Sequence, residues 1–336
     1  MTNVSPNTDF MKTYLITALL FLTGLCVLTA NEMPTEPCSR TTSATLMRFD
    51  DFCDVCGCSG NGGSMGFGTG LNNNFIGLRY IGQRYRSRDG IFSNSPWIDE
   101  NFNTIQLWTQ VPIGRRFIIN AVMPYQFHSR EFADNTEQQI NGLGDATVLG
   151  FYQVLKQVPD SIISIKPQHT LQVGGGVKMP TGSFDEENLE GSVNPSFQLG
   201  TGSWDYILGA NYGVTHRNWG LSAMVNYTIK TKNDKEYTFG NQFNYALNAY
   251  KTYYLGTNFA LTPQAGVGGE HFDKNKEFGL EVNNTGGSAF FSRLGMEINY
   301  KQYALGLSTM LPVAQDLNNG KVEVKSRFSV YVNINI

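Results

Sequence analysis

The C-terminal segment alternates between apolar and polar residues along its whole length. One set of alternate positions is apolar: Val322, Val324, Phe328, Val330, Val332, Ile334 and Ile336. The other set is largely polar: Glu323, Lys325, Arg327, Ser329, Tyr331, Asn333 and Asn335. Successive side chains of a β-strand point to opposite faces. The pattern therefore predicts one long strand with an apolar face and a hydrated face.

Similar alternation recurs through the chain, and no segment after residue 60 keeps a helical period. Twelve strands are predicted, near 74–86, 100–112, 115–130, 143–157, 164–180, 195–216, 219–231, 236–251, 254–271, 287–300, 302–313 and 321–336. Soluble strands usually have about 5–6 residues, whereas a tilted membrane-spanning strand needs about 9–11. The lengths therefore favour strands that cross a membrane.

The links between these strands differ in length according to their order. Short links are predicted at 112–115, 157–161, 216–218 and around residues 251 and 301. Longer polar links are predicted at 87–99, 131–141, 181–194, 273–287 and 314–320, with the short 232–235 as the exception. This alternation is typical of outer-membrane barrels whose two termini are periplasmic. We predict an all-β fold, a transmembrane antiparallel up-and-down β-barrel of about twelve strands; a soluble β-sandwich is the alternative.

The N-terminal region predicts export. An apolar run at 14–30 follows Lys12 and precedes a polar stretch, as in a secretory signal peptide. We therefore predict a signal peptide at 1–30, with Met11 as an alternative start. A periplasmic Cys- and Gly-rich segment, a candidate plug, would occupy 31–73, and the barrel 74–336. The predicted location is the outer membrane of a Gram-negative bacterium.

The composition of the chain limits the classes of partner that are expected. Only 16% of the 336 residues are charged, 12% are aromatic, and the net charge is -3. Nucleic-acid-binding proteins usually carry a basic patch and a basic net charge, so nucleic acid is not expected as a partner. Outer-membrane lipid and a small-molecule solute are expected instead.

Polar residues that share a face with few apolar ones are predicted to line the lumen. A charge at the bilayer midplane of a barrel costs about 2–4 kcal/mol on the lipid face, so such residues should point inward. The predicted lumen-lining residues are Arg79, Gln106, Arg116, Asn120, Gln126, His128, Lys178, Lys230, Gln242, Arg293, Glu297, Glu323, Lys325 and Arg327.

Three cysteines cluster ahead of the first predicted strand, at Cys53, Cys56 and Cys58. Disulfides are one interpretation, because the protein is exported and Cys38 supplies a fourth thiol. A soft-metal site is the other, because thiolates favour ions such as Cu(I). Both interpretations remain open from the sequence, and apart from this Cu(I) site no cofactor is predicted.

Catalytic pairs are not evident along single strands. A Ser two residues after a His on one strand would share its face. The residues two positions after the four histidines are instead Arg130, Leu171, Asn218 and Asp273. A Ser from a neighbouring strand remains an alternative. We predict that the protein is not an enzyme and that no residue is catalytic.

Two stretches carry a family resemblance, VKMPTGSF at 177–184 and PSFQLGTGSWDYILGANY at 195–212. They resemble the meta-pathway phenol-degradation transporter family of outer-membrane proteins. The matching residues are Lys178, Pro180, Thr181, Gly182, Gln198, Gly200, Thr201, Gly202, Ser203 and Asp205. CDVCGCSG at 53–60 and NFIGLRY at 74–80 are similar to a Bacteroidetes-type subset with an N-terminal CxxCxC segment. The resemblance implies a channel-like protein for small hydrophobic compounds and carries over no catalytic residue.

The sequence thus predicts an outer-membrane channel or transporter for small solutes, hydrophobic or aromatic ones among them. A narrow, occluded path is expected, because small barrels are largely filled by their own side chains. Two alternatives are a periplasm-facing copper-binding protein anchored by a barrel and an outer-membrane barrel hydrolase.

Overall fold

The computed structural model describes residues 74–88, 95–155, 166–189 and 194–336, with the two-residue strands Asp50–Asp51 and Thr69–Gly70. Twelve long strands dominate: Phe75–Arg88 (β1), Trp97–Ile113 (β2), Phe117–Glu131 (β3), Thr147–Leu155 (β4), Gln168–Lys178 (β5), Asp205–His216 (β6), Trp219–Ile229 (β7), Gln242–Lys251 (β8), Phe259–Phe272 (β9), Gly287–Tyr300 (β10), Tyr303–Leu317 (β11) and Val322–Asn335 (β12). Helical structure in the described residues is limited to the 3-10 turns Glu186–Leu189 and Asn318–Gly320. No helix among these residues has the length and apolar character needed to span a membrane.

The sheet closes on itself. Each strand pairs antiparallel with the next, and β12 pairs with β1 along nearly its full length. The segment Glu137–Leu143 continues the wall above β4 by pairing with the far half of β3. The predicted fold class, a closed antiparallel barrel of twelve strands, is confirmed.

The two ends of the barrel differ in their connections. At the end that holds both barrel termini, Lys301 (φ 52) and Arg217 (φ 54) adopt the left-handed conformation that two-residue hairpin turns require. At the other end, long connections follow β5, β7 and β9. Two predicted long links, 131–141 and 314–320, are instead largely strand, because the hairpins rise above the barrel wall. The predicted link 157–161 lies outside the described residues.

An apolar belt covers the outside of the barrel. The outward apolar side chains of β3, β7 and β11 are exposed, and so are those of the other strands. The belt includes Ile76, Leu78, Leu107, Phe117, Ile119, Val148, Val173, Leu208, Leu221, Val225, Leu247, Val267, Leu294, Leu305, Leu307, Val332 and Ile334. Trp204, Trp219, Tyr254, Tyr300 and Tyr303 are exposed nearer the strand ends. This is the surface that a barrel presents to an outer membrane. Trp108 on β2, in contrast, is buried inside the barrel.

A bulge in β12 reverses the faces predicted for its first residues. The pairing with β1 shifts between Val324 and Ser326, so that Lys325 is the extra residue. Val322 and Val324 are buried inside the barrel, whereas the side chains of Glu323 and Lys325 remain 29% and 42% exposed on the outside. The prediction that Glu323 and Lys325 line the lumen was therefore wrong, because strict alternation cannot pass through a bulge.

The signal peptide, its alternative start at Met11 and most of segment 31–73 lie outside the described residues. These domain assignments stay predictions.

The apolar belt predicts that the free-energy cost of a charged side chain on the outer surface depends on its depth in the membrane. Leu307→Arg, in the middle of β11, should destabilise the membrane-inserted barrel by about 2–4 kcal/mol, and Val313→Arg, nearer the loop end, by about 0–1 kcal/mol. Denaturant titration of barrels refolded into lipid vesicles, followed by the heat-modifiable gel shift, measures both. Equal costs for the two variants would contradict the belt.

Candidate functional site

The connection from β5 to β6, described at residues 179–189 and 194–204, enters the barrel. Phe197 on this segment, which we call the inner loop, has no exposed surface. It packs among inward-facing apolar side chains of β1, β2, β10, β11 and β12, on the wall remote from the loop's own strands. The sequence predicted strand from residue 195, but β6 begins only at Asp205. The inner loop therefore fills the part of the lumen that lies toward the long connections.

The far end of the inner loop is held by hydrogen bonds to buried charged side chains and by aromatic packing. The Asn194 side-chain amide donates a hydrogen bond to a carboxylate oxygen of Glu100 on β2, at 2.5 Å. The Arg130 guanidinium lies 4.6 Å from the centre of the Phe197 ring, and one of its nitrogens donates to the backbone oxygen of Asn188 at 3.3 Å. Aromatic packing therefore contributes much of this attachment.

The base of the inner loop is fixed by four buried charges. The Lys178 ammonium lies 2.6 Å from a carboxylate oxygen of Asp145 and 2.7 Å from one of Asp205. The Lys230 ammonium lies 3.0 Å from the same Asp205 oxygen. Two cations thus face two carboxylates in almost complete exclusion of water. Burial without a partner would be very unfavourable for any of them, so the four must remain together.

The motif that carries the family resemblance wraps around Asp145. Its carboxylate accepts hydrogen bonds from the backbone N–H of Gly182 at 3.0 Å and of Thr201 at 2.9 Å. A Cβ on Gly200 would lie 2.5 Å from a carboxylate oxygen of Asp145 and 2.5 Å from the backbone oxygen of Gly182. A side chain cannot fit there. The motif thus ties the two ends of the inner loop to one carboxylate.

A second ion pair lies beneath the inner loop. Arg327 on β12 contacts both carboxylate oxygens of Glu270 on β9, at 2.5 and 3.0 Å, and it also donates to the Tyr85 hydroxyl at 2.5 Å. Its guanidinium lies 4.5 Å from the centre of the Phe291 ring. The pair spans the inner faces of the two strands between β9 and β12 and narrows the lumen.

A third group of side chains fills the lumen nearer the short turns. Arg79 donates to Gln106 at 2.8 Å and lies 4.5 Å from the centre of the Trp108 ring. Tyr331 donates to Glu297, and its ring contacts Trp108 edge to face. These contacts leave little open cross-section in this part of the barrel.

His128 takes part in the filling as a neutral ring. Its Nδ1 accepts a hydrogen bond from the backbone N–H of Asn103 at 3.2 Å. The proton is then on Nε2, which donates to the Gln126 side-chain oxygen at 2.8 Å. His128 is thus used structurally, between Phe102 and Phe197.

One side of the lumen is apolar. Leu149, Phe151, Ile207, Met224 and Ala246, which we call the apolar strip, are buried and in contact on β4, β6, β7 and β8. β5 contributes Gly174 and Gly176 opposite Phe151 and Leu149, so no side chain interrupts the strip. The strip begins two residues closer to the short turns than Lys178. It offers a surface to an apolar or aromatic solute.

Two cavities lie at the long-connection end. The larger, of about 600 Å³, is lined by Phe239, Phe272, Lys230, Lys274 and Asp316 among others. The smaller, of about 50 Å³, shares Gly240, Phe272 and Gly286 with it and is lined by Asn194 to Ser196, Tyr85 and Glu270. Space therefore narrows sharply where the inner loop faces the Arg327–Glu270 pair.

An aromatic cluster joins the inner loop to the connection after β7. The rings of Phe184, Tyr237 and Phe239 lie 5.0–5.8 Å apart, centre to centre. Burial raises the pKa of Tyr237 to about 12, so its hydroxyl stays protonated and accepts a hydrogen bond from the Asn275 amide at 2.8 Å.

Most of the predicted lumen residues are buried inside the barrel: Arg79, Gln106, Asn120, Gln126, His128, Lys178, Lys230, Gln242, Arg293, Glu297 and Arg327. Arg116 is not, because it lies in the exposed turn after β2 and donates to the Tyr152 hydroxyl. It joins Glu323 and Lys325 as a wrong prediction. That the buried residues line a transport path stays a prediction.

Sequence reasoning missed several partners of these residues. Glu100 and Glu270 lie on the inward faces of their strands, so the alternation that selected Arg327 could have selected them. Asp145, Asn194 and Phe197 lie in connections, where no period indicates direction. Cys53, Cys56 and Cys58 lie outside the described residues, within which no group of three or more His, Cys, Asp or Glu is arranged to hold a metal ion.

One Ser–His contact does occur between neighbouring strands. Nδ1 of His271 on β9 lies 2.8 Å from the Ser288 hydroxyl on β10, and Asp273 lies 3.7 Å from Nε2. The second distance exceeds a hydrogen bond, and the His271 and Asp273 side chains are more than half exposed. The contact therefore does not form a catalytic triad.

The buried charges predict that removal of Lys178 lowers the folding free energy far more than removal of Lys232. Lys178→Met leaves Asp145 without its cation, and we expect a loss of about 3–5 kcal/mol in folding free energy. Lys232→Met removes an exposed pair with Glu236 and should cost about 0–1 kcal/mol. Denaturant titration of both variants measures the difference; similar losses would show that the four charges do not act as one unit.

Comparisons with known proteins agree with this geometry. An outer membrane channel from Pseudomonas putida F1 is similar in fold, with a TM-score of 0.59 and 13% identity over 79% of this chain and 96% of that one. The β-domain of the Bordetella autotransporter Brka matches with a TM-score of 0.48 and 10% identity, over 79% of this chain and 100% of that one. Curated protein sequences gave no match. The family described as the MetA-pathway of phenol degradation matches residues 98–308. This match spans more than half of the chain, which therefore belongs to that family.

Proposed function

We propose that this outer-membrane barrel is a channel for small apolar or aromatic solutes, with the inner loop as its gate. The observation that carries the proposal is the position of Phe197, seated wholly inside the barrel on a loop whose base is fixed by four buried charges. In the conformation described, the loop closes the lumen. Movement of its far end would open a path between the larger cavity and the rest of the lumen.

The contacts at the two ends of the inner loop support a gate over a permanent plug. The base would have to separate buried charges in order to move, which costs several kcal/mol. The far end would have to release the Phe197 ring and the hydrogen bonds to Glu100 and Arg130, but the loop contributes no charge to these contacts. Motion is therefore expected at the far end, and residues near 178 and 205 would stay in place.

The apolar strip supports the solute class. An apolar wall beside the polar groups of the lumen gives an apolar solute a favourable surface and gives a sugar or an ion none. The description of the family, which concerns phenol degradation, agrees with an aromatic solute. The neighbour from Pseudomonas putida F1 is itself described as an outer membrane channel, which fits a non-enzymatic role here.

Assignment to the subset with an N-terminal CxxCxC segment rests on residues 53–60 and 74–80 alone. We keep it as part of the proposal, together with outer-membrane lipid and a small solute as partners.

The gate predicts that one phenylalanine controls opening. Phe197→Ala should raise channel open probability strongly, because the loss of a packed phenylalanine costs about 3–5 kcal/mol and falls on the closed state. Phe278→Ala is the matched control, because Phe278 is 72% exposed in the connection after β9. Planar-bilayer recordings of purified full-length protein measure both. Unchanged open probability in Phe197→Ala would contradict the proposal that the inner loop is a gate.

The proposed solute class predicts that a polar residue in the apolar strip slows uptake of the solute. Met224→Gln places an amide in the apolar strip at similar size, so uptake of a labelled phenol by porin-deficient cells should slow several-fold. Met296→Gln makes the same change on the outer surface, where Met296 is 40% exposed, and should leave uptake unchanged. Uptake of a sugar of similar mass should stay at background in every case. Faster uptake of the sugar than of the phenol would contradict the proposed solute.

A further inference from the structure

Four cations face outward together near the long-connection end of β1 and β12. Arg84, Arg86 and Arg88 occupy alternate positions on β1, so their side chains share the outer face. Lys325 joins them from β12, because Ser326 pairs with Arg84 and Glu323 pairs with Arg86. We call this group the cationic patch.

The patch begins where the apolar belt ends. Below the bulge, β12 presents Phe328, Val330 and Val332 outward, and above it Glu323 and Lys325. β1 changes in the same way, from Ile76 and Leu78 to the arginines. The change from apolar to charged outer faces marks the boundary between acyl chains and headgroups. The cations therefore lie at the depth of the lipid headgroups.

Internal pairing uses only part of this charge. The Glu323 carboxylate lies 2.7 Å from the Arg86 guanidinium and 2.9 Å from the Lys325 ammonium. Asp99 on β2 pairs in register with Arg86, and Glu131 on β3 pairs in register with Asp99. The Arg84 side chain makes no hydrogen bond or ion pair within the described part of the chain. These three carboxylates do not balance the four cations, so the surface keeps a positive excess.

A tryptophan holds two of the guanidinium groups in place. The Trp97 ring lies 4.3 Å from the Arg86 guanidinium carbon and 4.0 Å from that of Arg88. Stacking of this kind fixes the planes of the guanidinium groups. Tryptophan is also the residue that membrane interfaces favour. The patch is thus organised before any ligand arrives.

We propose that the cationic patch binds the phosphate groups of an outer-leaflet glycolipid whose acyl chains lie on the apolar belt below. Guanidinium forks match phosphate oxygens in geometry and charge. At the same rim, the described ends of β9 and β11 carry Asp273 and Asp316 instead. Charge complementarity at headgroup depth thus selects a phosphorylated lipid. The inference does not depend on the channel function.

The test measures binding of a bisphosphorylated lipid A to full-length protein in detergent by native mass spectrometry. Arg84→Gln with Lys325→Gln should weaken binding roughly thirtyfold, because each interfacial cation contributes about one kcal/mol. Lys232→Gln with Lys274→Gln removes two exposed cations elsewhere at the same end and should leave affinity unchanged. The heat-modifiable gel shift verifies that every variant is folded.

Two further probes separate the phosphate from the rest of the lipid. The same lipid without its phosphates should bind the wild type as weakly as the intact lipid binds the double variant, and inorganic phosphate should bind far more weakly than the lipid. The single variant Arg84→Gln, which breaks no internal contact, should lose roughly fivefold. Equal binding of the phosphorylated and dephosphorylated lipids, equal loss in the two double variants, or inorganic phosphate binding as tightly as the lipid would overturn the proposal.

Discussion

Closure of the sheet between β12 and β1 is the constraint on which the rest of the structure depends. Hydrocarbon offers no partner to a backbone N–H or C=O, so a spanning sheet cannot have an edge. Once the sheet closes, every second side chain must point into a narrow interior. Charges from separate strands then meet there, as Arg327 and Glu270 do. The ion pairs between side chains inside the lumen are thus a direct result of the backbone pairing between strands in the wall.

Antiparallel pairing between neighbouring strands explains why the inner loop can be anchored so firmly at one end. Lys178 ends β5 and pairs in register with Asp205 at the start of β6, and Lys230 follows β7, so three charges meet at one level. Asp145 completes the group from the connection before β4. A loop that leaves and returns through this group has a rigid base, whatever its far end does.

The alternation of side chains was enough to predict the number of strands and the inward position of residues such as Arg79 and Arg327. The alternation gave the wrong face for Lys325, because one extra residue in a bulge exchanges the inward and outward faces and no residue type marks a bulge in the sequence. It gave the wrong position for Arg116, because side chains in a turn do not alternate between two faces. Asp145, Asn194 and Phe197 were beyond it, since their directions depend on which connections meet in space. Motif residues such as Gly182 and Gly200 were recognised by resemblance, and only the structure supplies the reason for them.

The bulge at Lys325 also separates two environments inside the barrel. Above it Val322 and Val324 point inward and join the cluster that receives Phe197. Directly below it Arg327 points inward and pairs with Glu270. The next aromatic side chain that β12 points inward, Tyr331, lies below this ion pair and packs against Trp108. An apolar ring can therefore dock against Val322 and Val324, and the ion pair separates it from the deeper aromatic group. The depth of the far end of the inner loop, just above the Arg327–Glu270 pair, thus follows from where β12 reverses its faces.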